Sequence, residues 1–227
     1  MTSNVNSAMK KLLLLFFVLS WSAVSFAQIS NTDPLAGKRI GVLGDSYVRN
    51  HRRPYTEAWH YLFAQKHHMK YYNYGRNGNC IAFDRNKWGP AMYKRYKDMN
   101  DSLDYIVVIG GHNDTGFIDS LGLDTFKSRL AQLCEGLCEK YPKGHIYFFT
   151  PWAHANPSFI KVVNAMLEVC GNYGIPVFDA YRNSNIHSLN DNFRRIYFQG
   201  KERDHAHLNA EGHKRFLPVA EQFILSH

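Results

Sequence analysis

A chain of 227 residues with a formal charge of +8 is long enough for one domain with a sizeable core. Its basic residues are scattered, clustering only at Arg49-Arg52-Arg53 and Arg194-Arg195, so no dense basic stripe marks a nucleic-acid partner. An anionic glycan or lipid remains compatible with the charge, which by itself identifies no partner.

Lys10 and Lys11 precede the apolar run Leu12 to Val18, and Val24-Ser25-Phe26-Ala27 supplies small residues for cleavage. This is the order of a secretory signal peptide, expected to span residues 1–27. Ser20, Ser22 and Ser25 break the apolar stretch short of a comfortable membrane span. No Cys follows the expected cut, which disfavours a lipoprotein. The remainder, residues 28–227, is expected as a single exported domain, periplasmic or secreted, without stable membrane insertion. Its 25 Lys and Arg against 19 Asp and Glu leave a formal charge of +6.

Lys38 to Gly44 reads as a first strand, followed by a helix from Tyr55 to Lys66 with Trp59, Leu62 and Phe63 inward. Met69 to Tyr74 is a second strand. Asp104 to Gly110 is a continuous apolar run, the pattern of a strand covered on both faces. In the next helix, Asp124 to Tyr141, the residues Phe126, Leu130, Leu133, Leu137 and Tyr141 recur at helical spacing. His145 to Thr150 is a fourth strand, Pro157 to Tyr173 a helix with proline in its first turn, and Pro176 to Asp179 a short fifth strand. Residues 181–203 read as polar and irregular, and Ala210 to Ser226 as a closing helix. Strand and helix alternating in this way predict an α/β fold: a parallel sheet with helices on both faces.

Cys80, Cys134, Cys138 and Cys170 could pair in three ways. Cys134 and Cys138 lie one turn apart on the apolar face of one helix, and Cys170 shares a face with Ile160, Val163 and Leu167. Buried free thiols packing as small hydrophobes are therefore expected.

In a parallel sheet the ligand crevice lies outside the carboxyl ends of the strands. Four polar stretches fall there or just before the last helix: Gly44-Asp45-Ser46, the Asn73 to Asn79 stretch with Gly75 and Gly78, Gly110-Gly111-His112-Asn113-Asp114, and Asp204-His205-Ala206-His207-Leu208-Asn209. Each alone has an ordinary reading as a cap, turn or solvated loop; together they fit acyl transfer. Ser46 offers a hydroxyl that needs a base, His207 is a base that changes charge near neutrality, and Asp204 can fix its tautomer. The amides of Ser46 and Gly78 and the side chain of Asn113 can converge as an oxyanion hole.

These blocks resemble those of the SGNH (GDSL-type) hydrolases, which contribute Ser, Gly, Asn and His. Gly44-Asp45-Ser46 matches the first block, Gly78 the second (Gly75 is the other glycine of that turn), Gly111-x-Asn113-Asp114 the third and Asp204-x-x-His207 the last. The resemblance runs from about Lys38 to the C-terminus. It implies a three-layer α/β/α, flavodoxin-like fold with a five-stranded parallel sheet, a Ser46-His207-Asp204 triad, and ester hydrolysis without metal or other cofactor.

Asp45 is expected to brace the turn that carries Ser46. Tyr47, His112, Trp152 and His154 are candidates to line the crevice, although Trp152 could equally pack within its own loop. His205 and His207, with His112 and His213, invite a metal reading, but no carboxylate set completes a site. Gly41-x-x-Gly44 is too sparse for a dinucleotide fingerprint, and no Walker A sequence occurs. The leading expectation is an esterase that removes a small acyl group such as acetyl from a carbohydrate, whether small molecule or polysaccharide. A lysophospholipase or thioesterase, a sugar O-acyltransferase and a silent glycan-binding domain are the alternatives.

Overall fold

Five parallel strands pair in the order β2-β1-β3-β4-β5. They are β1 (Arg39–Gly44), β2 (Lys70–Gly75), β3 (Tyr105–Ile109), β4 (His145–Phe149) and β5 (Val177–Phe178). The structure is a computed structural model and describes residues 33–227; the expected signal segment lies outside the described residues. Leu35–His227 forms one compact unit.

The helices, in chain order, are α1 (Ser46–Arg49), α2 (Trp59–Lys66), α3 (Met92–Arg95), α4 (Ile118–Leu121), α5 (Leu123–Lys140), α6 (Ser158–Asn172), α7 (Ala180–Asn183), α8 (Asp191–Tyr197) and α9 (Ala210–Ser226). Alternate strand residues feed opposite layers. Leu43, Ile106, Val108, Ile146 and Phe148 face Phe126, Leu130, Leu133 and Leu137 of α5 and Val162, Met166 and Val169 of α6. Ile40, Val42, Val107, Ile109 and Phe149 face Trp59 and Phe63 of α2 and Phe216, Ala220 and Ile224 of α9. The fold is the expected three-layer α/β/α arrangement.

Three local expectations need correction. The helix expected from Tyr55 begins as a 3₁₀ turn at Tyr55–Glu57, and α2 starts only at Trp59. Leu62, expected inward, is half-buried, because the short α2 presents its buried face through Trp59, His60, Phe63 and Ala64. Residues 181–203 are not wholly irregular: α8 lies within them, with Asn190 accepting from Phe193 N–H at 2.9 Å as its cap. Arg194 anchors that segment from a buried position, donating to the carbonyls of Ser188 and Glu202.

The four cysteines are free thiols, and Cys134 and Cys170 meet between α5 and α6 with their sulfurs 3.7 Å apart. No helix among the described residues is long and apolar enough to cross a membrane.

The order β2-β1-β3 puts a topological switch beside β1, the place at which open parallel sheets hold their ligands. The segments after β1, β2 and β3 all reach that end, carrying Ser46, Gly78 and Asn113 respectively.

Candidate active site

At the end of β1 the chain turns sharply into α1. Asp45 is its N-cap and accepts from Tyr47 N–H at 2.8 Å. Ser46 is therefore the first residue of a helix. Its own amide has no acceptor among the described residues, as befits an N-terminal helical N–H.

Ser46 Oγ lies 2.9 Å from His207 Nε2. On the other side of the ring, His207 Nδ1 lies 3.1 and 3.2 Å from the two carboxylate oxygens of Asp204. Asp204 also accepts from the backbone N–H groups of Ala206 and His207, both at 2.9 Å. Those bonds close the loop into a tight turn that presents the imidazole. Although burial alone would raise it, the bonds from His207 and from these amides hold the Asp204 carboxyl well below the usual range. It is ionised at neutral pH.

The two glycines of the second block separate clearly. Gly75 N–H donates to Asn73 Oδ1 at 2.9 Å, and a Cβ at Gly75 would come within 2.3 Å of the Arg49 amide. Gly75 thus serves close packing of β2 against α1. Gly78 has φ +69 and its N–H finds no acceptor among the described residues. A Cβ there would sit 2.7 Å from the Trp88 ring, so both backbone conformation and space require glycine. Arg85 pins the loop by donating to the Gly78 carbonyl at 2.8 Å.

Asn113 is brought to the same end of the sheet, where its Nδ2 donates to Asp45 Oδ2 at 3.1 Å and to the Asn79 carbonyl at 3.0 Å. Both amide hydrogens therefore have partners in the resting site, which the sequence did not foretell. Asp114 is fully buried and accepts from Ile81 and Ala82 N–H, both at 2.9 Å. It ties the third block to the segment after Gly78. Burial lifts the Asp45 carboxyl to about 7, against the pull of the Tyr47 N–H bond and of His207, and lifts Asp114 to about 6.

The family model of GDSL-like lipases and acylhydrolases matches residues 42–215. The chain belongs to that family. Among solved structures, this GDSL-like acylhydrolase is similar to a protein from Lactobacillus plantarum, with TM-score 0.74 and 24% identity over 85% of this chain and 98% of that one. It is similar to a protein described as a GDSL-like lipase from Bacteroides ovatus, with TM-score 0.63 and 17% identity over 85% and 100% of the two chains. It is also similar to an active-site mutant of a family two carbohydrate esterase from Clostridium thermocellum, with TM-score 0.64 and 13% identity over 83% of this chain and 63% of that one. A comparison with curated protein sequences found no match.

The side chains expected to line the crevice of this acylhydrolase divide in two. Tyr47 and Trp152 are buried, at 6% and 4% exposure, and form a layer beneath His207 instead. Their rings stack at 5.3 Å, Tyr47 meets His207 edge-on at 6.3 Å, and Trp152 Nε1 donates to the Ala206 carbonyl at 2.9 Å. Trp152 thus holds the loop that carries His207. His112 and His154 sit nearer the opening and are half-buried. His112 Nδ1 shares a 3.1 Å hydrogen bond with the Tyr47 hydroxyl, and burial pushes its imidazole down to about 4. His154 stacks on Phe159 at 4.3 Å.

His213, considered earlier as a possible metal ligand, is buried and hydrogen-bonds Asn50 Oδ1 at 3.1 Å. No cluster of three or more metal-ligating side chains occurs among the described residues.

One residue of the site escaped the sequence altogether. The His51 ring stacks on His207, with ring centres 4.0 Å apart and planes 12° from parallel. No spacing or motif signals this contact, because it depends on the turn after α1 folding back over the site.

Proposed function

We propose that this acylhydrolase is an exported serine esterase that removes a short O-acyl group, acetyl in the first instance, from a carbohydrate. One observation carries the reading: the unbroken hydrogen-bonded row from Ser46 Oγ through His207 to the ionised Asp204. Ser46 Oγ attacks the ester carbonyl while His207 Nε2 takes its proton, and Asp204 stabilises the imidazolium. The Ser46 and Gly78 amides receive the oxyanion, and Asn113 joins by sharing a hydrogen now held by Asp45 or Asn79. Collapse of the tetrahedral intermediate expels the sugar hydroxyl, which takes the proton from His207. Water, deprotonated by the same ring, then releases the carboxylic acid and restores Ser46.

The short acyl group is carried forward from the sequence, in which no long apolar lid or acyl channel is evident. The carbohydrate follows from the expected export, and a carbohydrate esterase among the fold neighbours is in keeping with it.

Turnover of p-nitrophenyl acetate, butyrate and octanoate tests this directly, followed by acetate release from acetylated oligosaccharides. Acetate is expected to be the preferred ester, and Ser46→Ala to lower kcat by about 10⁴-fold or more. Equal turnover by Ser46→Ala removes the serine mechanism. A preference for octanoate moves the substrate to lipid or thioester, and acyl transfer to an added sugar in preference to water makes the chain a transferase.

A further inference from the structure

Asn50 and His51 follow α1 in consecutive left-handed conformations, with φ 63 and 46. Neither is glycine, and such pairs persist only where the surroundings fix them. Here the surroundings do so at every backbone group. His51 N–H donates to the Ser46 carbonyl at 3.0 Å, and the His51 carbonyl accepts from Asn77 Nδ2 at 3.4 Å. Asn50 donates from Nδ2 to the Pro54 carbonyl at 2.7 Å, and its Oδ1 meets Gln199 Nε2 and His213 Nε2. The consequence of this held turn is one contact: the His51 ring lies flat on the ring of His207.

We propose that His51 is a positioning residue for His207, covering one face of its ring so that Nε2 stays on Ser46. The proposal rests on the reading of Ser46 and His207 as nucleophile and base. Two aspects of the stack support it. The edge of Tyr47 restrains His207 at 6.3 Å, and Asp204 fixes Nδ1, leaving ring rotation out of the Ser46 direction to be limited by a flat partner. A neutral His51 face also favours the imidazolium formed during acylation, as an aromatic face favours a cation.

A charge on His207 in turn acts on His51, disfavouring a second positive charge with ring centres 4.0 Å apart. The other titratable groups facing His207 are Asp204 on its own loop, Asp45 and Tyr47 after β1, His112 after β3 and His213 on α9. Those facing His51 are His207, Arg52 and Asp204, and burial together with His207 lowers the His51 imidazole below its ordinary value. At neutral pH, then, His51 is the neutral, stacking partner. A charge on His207 keeps it so, and the flat neutral face persists when the imidazolium forms.

The test is kcat and KM on p-nitrophenyl acetate at neutral pH for the unaltered protein, His51→Phe and His51→Asn. Phenylalanine keeps a flat ring; asparagine removes it and tolerates the left-handed backbone. His51→Phe is expected to keep kcat and KM within about twofold, because it keeps the flat face against His207. His51→Asn is expected to lower kcat about tenfold with KM within about twofold, the signature of a misplaced base. Thermal melting of each variant identifies any loss of fold. A kcat for His51→Asn equal to that of the unaltered protein, or a loss in His51→Phe as large as in His51→Asn, overturns the role of His51. Absence of Ser46-dependent turnover in the unaltered protein overturns this proposal together with the serine mechanism.

Discussion

Asn113 has two amide hydrogens, and at rest Asp45 and Asn79 take both. Replacing it by alanine therefore removes an oxyanion donor and also strips a partner from a buried carboxylate. Asn113→Ala is expected to lower kcat on p-nitrophenyl acetate by about 10²–10³-fold with a smaller effect on KM. An unchanged kcat would leave the oxyanion to the two backbone amides. Trp152 acts one step further out, through its hydrogen bond to the Ala206 carbonyl. Trp152→Phe keeps most of the packing but leaves that carbonyl unpaired, so it should cost about 1–3 kcal/mol of stability. It should also lower kcat by loosening the His207 loop, and equal stability with equal kcat would contradict that role. At this scale the residue types of the site were legible in the sequence, because Ser46, Gly78, Asn113, Asp204 and His207 fall in short motifs. Their couplings were not. The occupied N–H of Gly75, the double engagement of Asn113 and the His51 stack arise from tertiary contacts that no spacing encodes.

Among the elements, α9 carries the most weight behind the site. Phe216 lies fully buried, 5.0 Å from Trp152 and 5.5 Å from Trp59, so it props the layer on which His207 rests. Phe216→Ala should cost about 3–5 kcal/mol in urea unfolding, as large-to-small changes in a packed aromatic core do. A loss below 1 kcal/mol would mean that the layer closes over the gap. Between α5 and α6, Cys134 and Cys170 are fully buried, and the contact with Cys134, together with burial, drives the Cys170 thiol far above its ordinary range. Iodoacetamide should therefore leave both untouched in the folded protein and reach the half-buried Cys138 first; rapid labelling of Cys134 or Cys170 would contradict this packing. The long helices α5, α6 and α9 and the runs of β1, β3 and β4 were legible because apolar periodicity persists over enough residues to be seen. The one- and two-turn helices α4, α7 and α8 are too short for any period. Caps and tertiary anchors such as Asn190 and Arg194 specify α8 instead.

Across the whole molecule, buried titratable groups set opposing dependences on pH. Asp45 and Asp114 lie above their unfolded values, near 7 and 6, so the stability they contribute is full in acid and is lost as pH rises through those values. His60 and His213, near 3, and His112, near 4, lie below the unfolded histidine value. The unfolded chain then binds the extra protons, and the stability they contribute is lost as pH falls from about 6.5 toward 4. Three histidines outweigh two carboxylates in that window, so acidification lowers stability. The urea midpoint should accordingly be lower at pH 4 than at pH 6.5, and a higher midpoint at pH 4 would reverse the balance drawn here. The buried Asp45 and the half-buried His112 frame the Ser46–His207–Asp204 row on which the functional reading stands. That row is tested most directly by treating the protein with a fluorophosphonate at neutral pH and mapping the adduct by mass spectrometry. One adduct is predicted, on Ser46, formed at least about 10²-fold more slowly in His207→Ala. An adduct on another residue, or equal labelling of Ser46 without His207, would contradict the account.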